Sequence, residues 1–141
     1  MTDNIVLSAA INHQVTFFDC DPMGITWHGN YLKYFELARC ALFEKIDFSY
    51  SAMAASDFVW PIVDVRVKYV RPTRFEQHIV IYADLVEYEH RVKINYRVCD
   101  KISGEVLTKG HTLQVAVEQS SQEMCYVSPS ILIEKLQPYI G

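Results

Sequence analysis

Apolar positions recur along this chain in two rhythms. Over residues 31–45 the rhythm is helical. Tyr31, Leu32, Tyr34, Phe35, Leu37, Ala38, Ala41, Leu42 and Phe43 cover most of the girth, leaving a narrow polar stripe of Lys33, Glu36, Cys40 and Glu44. No Gly or Pro interrupts the segment. It predicts a long central helix wrapped by other structure. From Phe58 onward the period is two. Val63, Val65, Val67 and Tyr69 alternate with Asp64, Arg66 and Lys68 in a strand predicted over residues 58–70, ended by Arg71-Pro72-Thr73. Trp60-Pro61 should start it at an edge or bend. Ile79, Ile81, Ala83 and Leu85 mark the next strand. Val92, Ile94, Tyr96 and Val98 then alternate with Arg91, Lys93, Asn95 and Arg97. After a turn at residues 101–104, Leu113, Val115 and Val117 are assigned one face of a last strand, with Thr112, Gln114 and Ala116 on the other.

The remaining segments are shorter. Residues 1–12 are a weakly specified lead-in, and 13–18 read as the first strand. Residues 47–56, with Ser and Ala enriched, form a connector with room for one helical turn. Residues 128–139 predict a terminal helix with Ser128 as cap and Pro129 at its first position. Strand, long helix, then four strands joined by short turns is an α+β arrangement, an antiparallel sheet of about five strands with one helix packed on it. With 141 residues and no repeat or linker, residues 1–141 are expected to form a single domain.

Composition narrows the partners. Half the residues are hydrophobic, enough for a real core, and the formal net charge of −4 argues against nucleic acid. Cys20, Cys40, Cys99 and Cys125 show no metal-ligand spacing, and His13, His78, His90 and His111 do not cluster. No metal and no cofactor are expected, and the thiols read as reduced, in a cytoplasmic protein. Residues 1–13 lack the basic region and apolar run of a signal peptide, and no stretch approaches a membrane span.

Usable chemistry concentrates in residues 17–39. Asp21-Pro22-Met23-Gly24 suits a type I turn, with Asp at the first position, Pro at the second and Gly at the fourth. Asn30 is a good cap for a helix beginning at Tyr31. Asp21 is thus expected where a strand ends, and His28 just before a helix begins. A helix start presents unpaired N–H groups that can hold a developing oxyanion. A carboxylate beside it can attack a carbonyl or activate water. Taken singly, an Asp before Pro is most often a turn residue, and a His beside a helix start a surface or cap residue. The grouping raises their standing.

The run Asp19-Cys20-Asp21-Pro22-Met23-Gly24-Ile25, with Trp27 and Asn30-Tyr31, resembles the acyl-CoA thioesterases of the hotdog fold. It is most similar to the branch of 4-hydroxybenzoyl-CoA thioesterase. The resemblance implies a sheet curled round the central helix and hydrolysis of an acyl-CoA or aroyl-CoA thioester. The second acid of the Asp-x-Asp pair, Asp21, would be the catalytic carboxylate, as nucleophile or general base. The backbone N–H of His28 would polarise the thioester carbonyl. It further implies a homodimer or homotetramer, with sheets joined edge to edge and two sites at the boundary. Acyl-carrier-protein thioesters are a second substrate class, and a non-catalytic thioester-binding module is the alternative outside enzymes. The His-before-Pro-Gly and Asp-x-Asn-Pro-x-His runs of hotdog dehydratases and hydratases are absent from the sequence.

Other residues compete for roles. Glu36 rivals Asp21, because some hotdog thioesterases use a helix Glu; against this, Lys33 and Arg39 lie in ion-pair reach of it. Asp19 reads as an acid that holds the turn. Cys20 reads as strand filling, with a nucleophilic thiol the alternative. Trp27, Asn30, Tyr31 and Trp60 are candidate substrate contacts, while core packing accounts for the aromatics equally well. Arg66 and Lys68 form one basic pair and Arg91, Lys93 and Arg97 another; some of them are candidates for CoA phosphates, Arg91 and Lys93 first, with a solvated sheet face as the plain alternative.

Overall fold

The computed structural model describes residues 4–140. Its main sheet has five antiparallel strands in the order β1 (Leu7–Gln14), β4 (His78–Glu87), β5 (Val92–Asp100), β6 (Val106–Gln114), β3 (Ile62–Tyr69). A two-stranded pair joins β2 (Phe58–Val59) to β7 (Val117–Glu118). Three helices complete it: α1 (Tyr31–Glu44), α2 (Tyr50–Ala55) and α3 (Ser130–Ile140). The expected α+β architecture of a five-stranded antiparallel sheet with a long helix is present.

The core lies between α1 and the inner face of β1, β4 and β5. Tyr31, Tyr34, Phe35, Ala38, Leu42 and Phe43 of α1 are buried against Ile79, Ile81, Ala83, Leu85, Val92, Ile94, Tyr96 and Val98. Phe35 stacks on Tyr96 with ring centroids 4.4 Å apart and planes 6° from parallel. That approach needs Gly110. A Cβ there would lie 2.6 Å from the Phe35 ring and 2.4 Å from the Arg66 carbonyl oxygen.

Four expectations are corrected. The first strand is not at residues 13–18 but at Leu7–Gln14, inside the supposed lead-in, whose first three residues lie outside the described residues. Ala9 and Ala10 weaken its β signal, yet Leu7 and Ala9 are buried and pair opposite Leu85 and Ala83. Phe17–Asp19 is instead a 3-10 turn. Residues 58–70 are two strands, broken at Trp60-Pro61. The second, β3, is an edge strand; Val65 and Tyr69 of the face meant for the core stay exposed.

The last long strand, β6, ends at Gln114, short of the expected Val115 and Val117, and of its two alternating sets Thr108, Thr112 and Gln114 point inward and Leu113 outward. Thr112 and Gln114 have polar partners inside. The Tyr96 hydroxyl shares a 2.8 Å hydrogen bond with Thr112 Oγ1, Arg39 Nε donates to the Tyr50 hydroxyl at 2.8 Å, and Gln114 Nε2 donates to the Trp60 carbonyl at 2.8 Å. Lastly, Ser128 does not cap α3; its hydroxyl donates to the Tyr88 carbonyl and its N–H to Glu89 O at 2.8 Å.

Candidate active site

The segment from Thr16 to Tyr31 forms a compact loop on one end of the sheet, beside the junction of β1 and β4. Its backbone is closed on itself. Asp21 N–H donates to Ile25 O at 2.9 Å, Gly24 N–H to Asp21 O at 3.0 Å, and Trp27 N–H to Asp19 O at 2.8 Å. Gly24 has φ of +77°, a left-handed conformation that glycine adopts without a side-chain penalty. The Asp-Pro-Met-Gly turn forms as the sequence implies.

Asp19 is the staple of this loop. Its Oδ2 is 2.9 Å from His13 Nε2 and accepts the Thr16 N–H at 3.0 Å. Burial works to raise its pKa, but the hydrogen bonds from His13 and Thr16 outweigh it and hold the carboxyl below its usual range. Two acids separated by a single residue thus have separate tasks. Asp21 Oδ1 accepts the Met23 N–H at 2.8 Å, and among the described residues its Oδ2 has no hydrogen-bond partner. That oxygen is available to a ligand. Asp21 lines a recess of about 520 Å³ together with Phe17, Cys20, Pro22, Gly24 and Phe75. Phe17 and Phe75 meet edge to face there at 6.2 Å. Cys20 donates its thiol to Thr16 O at 3.5 Å, and burial pushes that thiol's pKa up, against a nucleophilic thiolate.

His28 opens a 3-10 turn, His28–Asn30, that runs directly into α1. As the first residue of that turn, its N–H has no acceptor within the turn. Asn30 does not cap the helix as expected. It already has helical dihedrals, and its Nδ2 donates at 2.8 Å to the Asp19 carbonyl, fastening the helix start to the loop that carries Asp21. The Tyr69 hydroxyl holds the His28 carbonyl at 3.0 Å. His28, Ile25, Thr26, Tyr31, Tyr69, Val70, Arg71 and Pro72 line a second recess of about 340 Å³. The two recesses follow one another along the loop: Asp21 and Gly24 line the first, Ile25, Thr26 and His28 the second.

Beneath the loop runs a hydroxyl chain that the sequence did not signal. The Tyr31 hydroxyl lies 3.1 Å from Thr73 Oγ1, Thr73 Oγ1 bonds Thr26 Oγ1, and Thr26 Oγ1 lies 3.4 Å from the Tyr34 hydroxyl. Burial raises the Tyr34 pKa, keeping its phenol neutral. Tyr31, 2% exposed, thus offers a recess its ring while its hydroxyl is committed to Thr73. Trp27 is half exposed, 4.9 Å from the His28 ring.

Other candidates lie apart. Trp60 is 7% exposed, packed edge to face on Phe48 at 5.3 Å, and lines neither recess. Arg91 and Lys93 sit at the β4–β5 hairpin. Arg91 pairs with Glu87 at 2.8 Å, and Lys93 lies opposite Glu87. The Asp21 loop adjoins the other end of β4, through the bonds of Val15 N–H to Gln77 O and of Phe75 N–H to Gly24 O. Ten residues of β4 separate the two ends, about 33 Å at ~3.3 Å per residue. Within one chain these cations do not share a site with Asp21. Glu36 is exposed on α1, 3.9 Å from Arg39 Nη2. Among the described residues no group of acids, cysteines and histidines could hold a metal, and no helix is long and apolar enough to cross a membrane.

Comparison with known proteins bears on the family and the fold. A family model described as the thioesterase-like superfamily matches residues 15–134. A Bacillus subtilis protein provisionally assigned as the acyl-CoA thioesterase YneP is 28% identical over 109 residues, covering 77% of this chain and 78% of its own. A DHNA-CoA thioesterase structure from Staphylococcus aureus superposes with a TM-score of 0.77 at 23% identity, covering 84% of this chain and 80% of that one. An aspartate-to-asparagine variant of 4-hydroxybenzoyl-CoA thioesterase, in complex with 4-hydroxybenzoyl-CoA, superposes with a TM-score of 0.78 at 19% identity, over 92% of this chain and 98% of that one. The fold is the hotdog arrangement that the sequence resembles.

Proposed function

The chain belongs to the thioesterase-like superfamily, and from that premise we propose that it hydrolyses a coenzyme A thioester, with Asp21 as the reacting carboxylate. One observation carries the reading. Of two neighbouring acids, Asp19 is consumed by the loop's own hydrogen bonds, while Asp21, with one oxygen unpartnered among the described residues, lines a recess with Phe17 and Phe75.

The reaction takes one water and releases a carboxylic acid and the CoA thiol. Asp21 serves in one of two ways: its carboxylate adds to the thioester carbonyl, giving a mixed anhydride that water opens, or it takes the proton of the attacking water. In both, negative charge develops on the carbonyl oxygen. The N–H of His28, at the start of the 3-10 turn and α1, is the donor suited to that charge. Asn30 and Tyr69 are positioning residues, fixing the helix start against the Asp21 loop and β3. Trp27 and the Tyr31 ring border the bound thioester.

The working assembly is a dimer or a tetramer. Among the described residues strand β3 pairs on one side with β6 only; Val63, Val65 and Tyr69 are exposed along it and Val70 just beyond it. An apolar edge of this kind is a liability unless another strand covers it. A partner across β3 would also lie beside the recess that Tyr69 and His28 share.

The test is incubation with a panel of acyl-CoA and aroyl-CoA thioesters, with the free thiol titrated. Turnover of at least one of them well above the spontaneous rate is expected. Absence of thiol release across the panel contradicts the reading.

A further inference from the structure

We infer that the outer face of the sheet, at Arg66, Lys68, Lys109 and His111, is a phosphate-binding site that anchors the nucleotide end of a CoA thioester. The inference rests on the CoA-thioester reading above and extends it to a region that reading does not use.

Strand register brings these residues together. Lys68 lies opposite Lys109, Arg66 opposite His111, and Arg97 opposite Lys109 on the other side. The inward positions of β6 are settled by buried Thr108, Thr112 and Gln114, so Lys109 and His111 face outward. Adjacent strands stand ~4.8 Å apart, so Lys68, Lys109 and Arg97 form a row of three cations about 10 Å long. Like charges placed directly opposite one another destabilise a sheet. They stand here in a chain whose net charge is −4. Among the described residues, none of Arg66, Lys68 and Lys109 makes an ion pair within the chain. Arg97 lies 3.9 Å from Asp84 and over the Tyr82 ring at 4.4 Å, which leaves it at the margin of the cluster. An anion bound among the remaining cations would offset their repulsion through charge-assisted hydrogen bonds.

Shape and surroundings favour a small polyanion. Arg66, Lys68, Lys109, Gly110 and His111 line a shallow depression of about 310 Å³, the scale of a small-molecule site. Acids bound it on two sides: Asp64 on the same outward face of β3, and Asp84 beside Arg97. A broad acidic protein surface laid here would meet those carboxylates, whereas a phosphate or diphosphate fits between them. Coenzyme A carries three phosphates at the end remote from its thioester.

The patch is also continuous with the candidate active site. Lys68 precedes Tyr69, whose hydroxyl holds the His28 carbonyl. Strand β3 ends at Tyr69, and Val70 and Arg71 beyond it line the recess of His28. Both of their N–H groups bond Leu107 O, and Arg71 reaches Glu105 at 2.5 Å. A linear arm leaving that recess past the end of β3 arrives on the outer face beside Lys68 and Lys109.

The test pairs binding with turnover, using the wild type, a Lys68→Glu/Lys109→Glu variant and its Gln/Gln counterpart, all checked for native melting. Titration calorimetry compares CoA with dephospho-CoA, and kinetics compare one acyl group on CoA, on N-acetylcysteamine and on an acyl carrier protein. Charge reversal should weaken CoA binding roughly tenfold or more, raise KM for the CoA thioester with a smaller effect on kcat, and reduce the preference for CoA over N-acetylcysteamine by a like factor. The Gln/Gln variant should fall between. Hydrolysis with unaltered CoA affinity and preference overturns the inference and leaves the thioesterase reading standing. A loss confined to the carrier-protein substrate also overturns it, in favour of protein docking. Lysine-dependent CoA binding with no hydrolysis by the wild type supports the phosphate site and sinks the hydrolase reading.

Discussion

His13 Nε2 lies 2.9 Å from Asp19 Oδ2, joining the end of β1 to the loop that presents Asp21. Asp19 is thereby stabilised as the carboxylate, with its pKa held below the ordinary range despite burial. A group whose pKa is depressed by folding contributes fully above its unfolded value, and that contribution is lost as pH falls through the folded one. Asp19→Asn should therefore lower the urea midpoint at pH 7, and the deficit relative to wild type should shrink below about pH 4. Urea melts of both proteins from neutral pH down to about pH 3 check this. A deficit that stays constant over the range contradicts it.

Gly110→Ala should destabilise by about 1–3 kcal/mol, because the added methyl overlaps the Arg66 carbonyl and the Phe35 ring. The carbonyl belongs to the adjacent strand and cannot rotate aside. Denaturant unfolding should show a lower midpoint at an unchanged slope. A stability equal to wild type would mean that β6 and α1 separate more easily than the Phe35–Tyr96 stack implies.

Much of this was legible in the residues. Strict alternation marked the buried faces of β4 and β5, and the apolar girth of residues 31–44 marked α1, because periodicity reports burial when one face meets a core. It failed where that condition fails. On β3 the alternation is clear, yet α1 meets this edge strand through Tyr31 on Tyr69 near its end, and Val63 and Val65 stay exposed. On β6 the inward face carries Thr108, Thr112 and Gln114; Thr112 bonds the Tyr96 hydroxyl and Gln114 the Trp60 carbonyl, which a hydrophobic pattern cannot show. Arg39 itself, 5% exposed, was read only as an ion-pair neighbour of Glu36. In the site, the Asp-Pro-Met-Gly turn and the helix start could be read from turn chemistry. The division of labour between Asp19 and Asp21 was half visible, since His13 is six residues away and pairs with Asp19 only once β1 is placed correctly. The distance of Arg91 and Lys93 from the loop follows from β4, whose length separates them.

The assembly makes its own prediction. The 16.3 kDa chain should sediment as a dimer or tetramer at micromolar concentration. Val65→Glu puts a charge on the exposed inner side of β3 and should lower the mass toward that of one chain, with secondary structure kept. A wild-type protein that is monomeric by sedimentation equilibrium contradicts the edge-to-edge arrangement.

The central claim is that Asp21, of three carboxylates near the helix start, performs the chemistry. Asp21→Asn keeps the size of the side chain and its hold on the Met23 N–H, so the loop should fold. An amide is a poor nucleophile and no base at neutral pH. The decisive measurement is kcat for Asp21→Asn, Asp19→Asn and Glu36→Gln, side by side on one CoA thioester. The account predicts a fall of roughly 10²–10⁴ for Asp21→Asn with substrate binding retained, and much smaller losses for the other two. A folded Asp21→Asn protein turning over near the wild-type rate would contradict it, and Glu36 would take its place as the candidate.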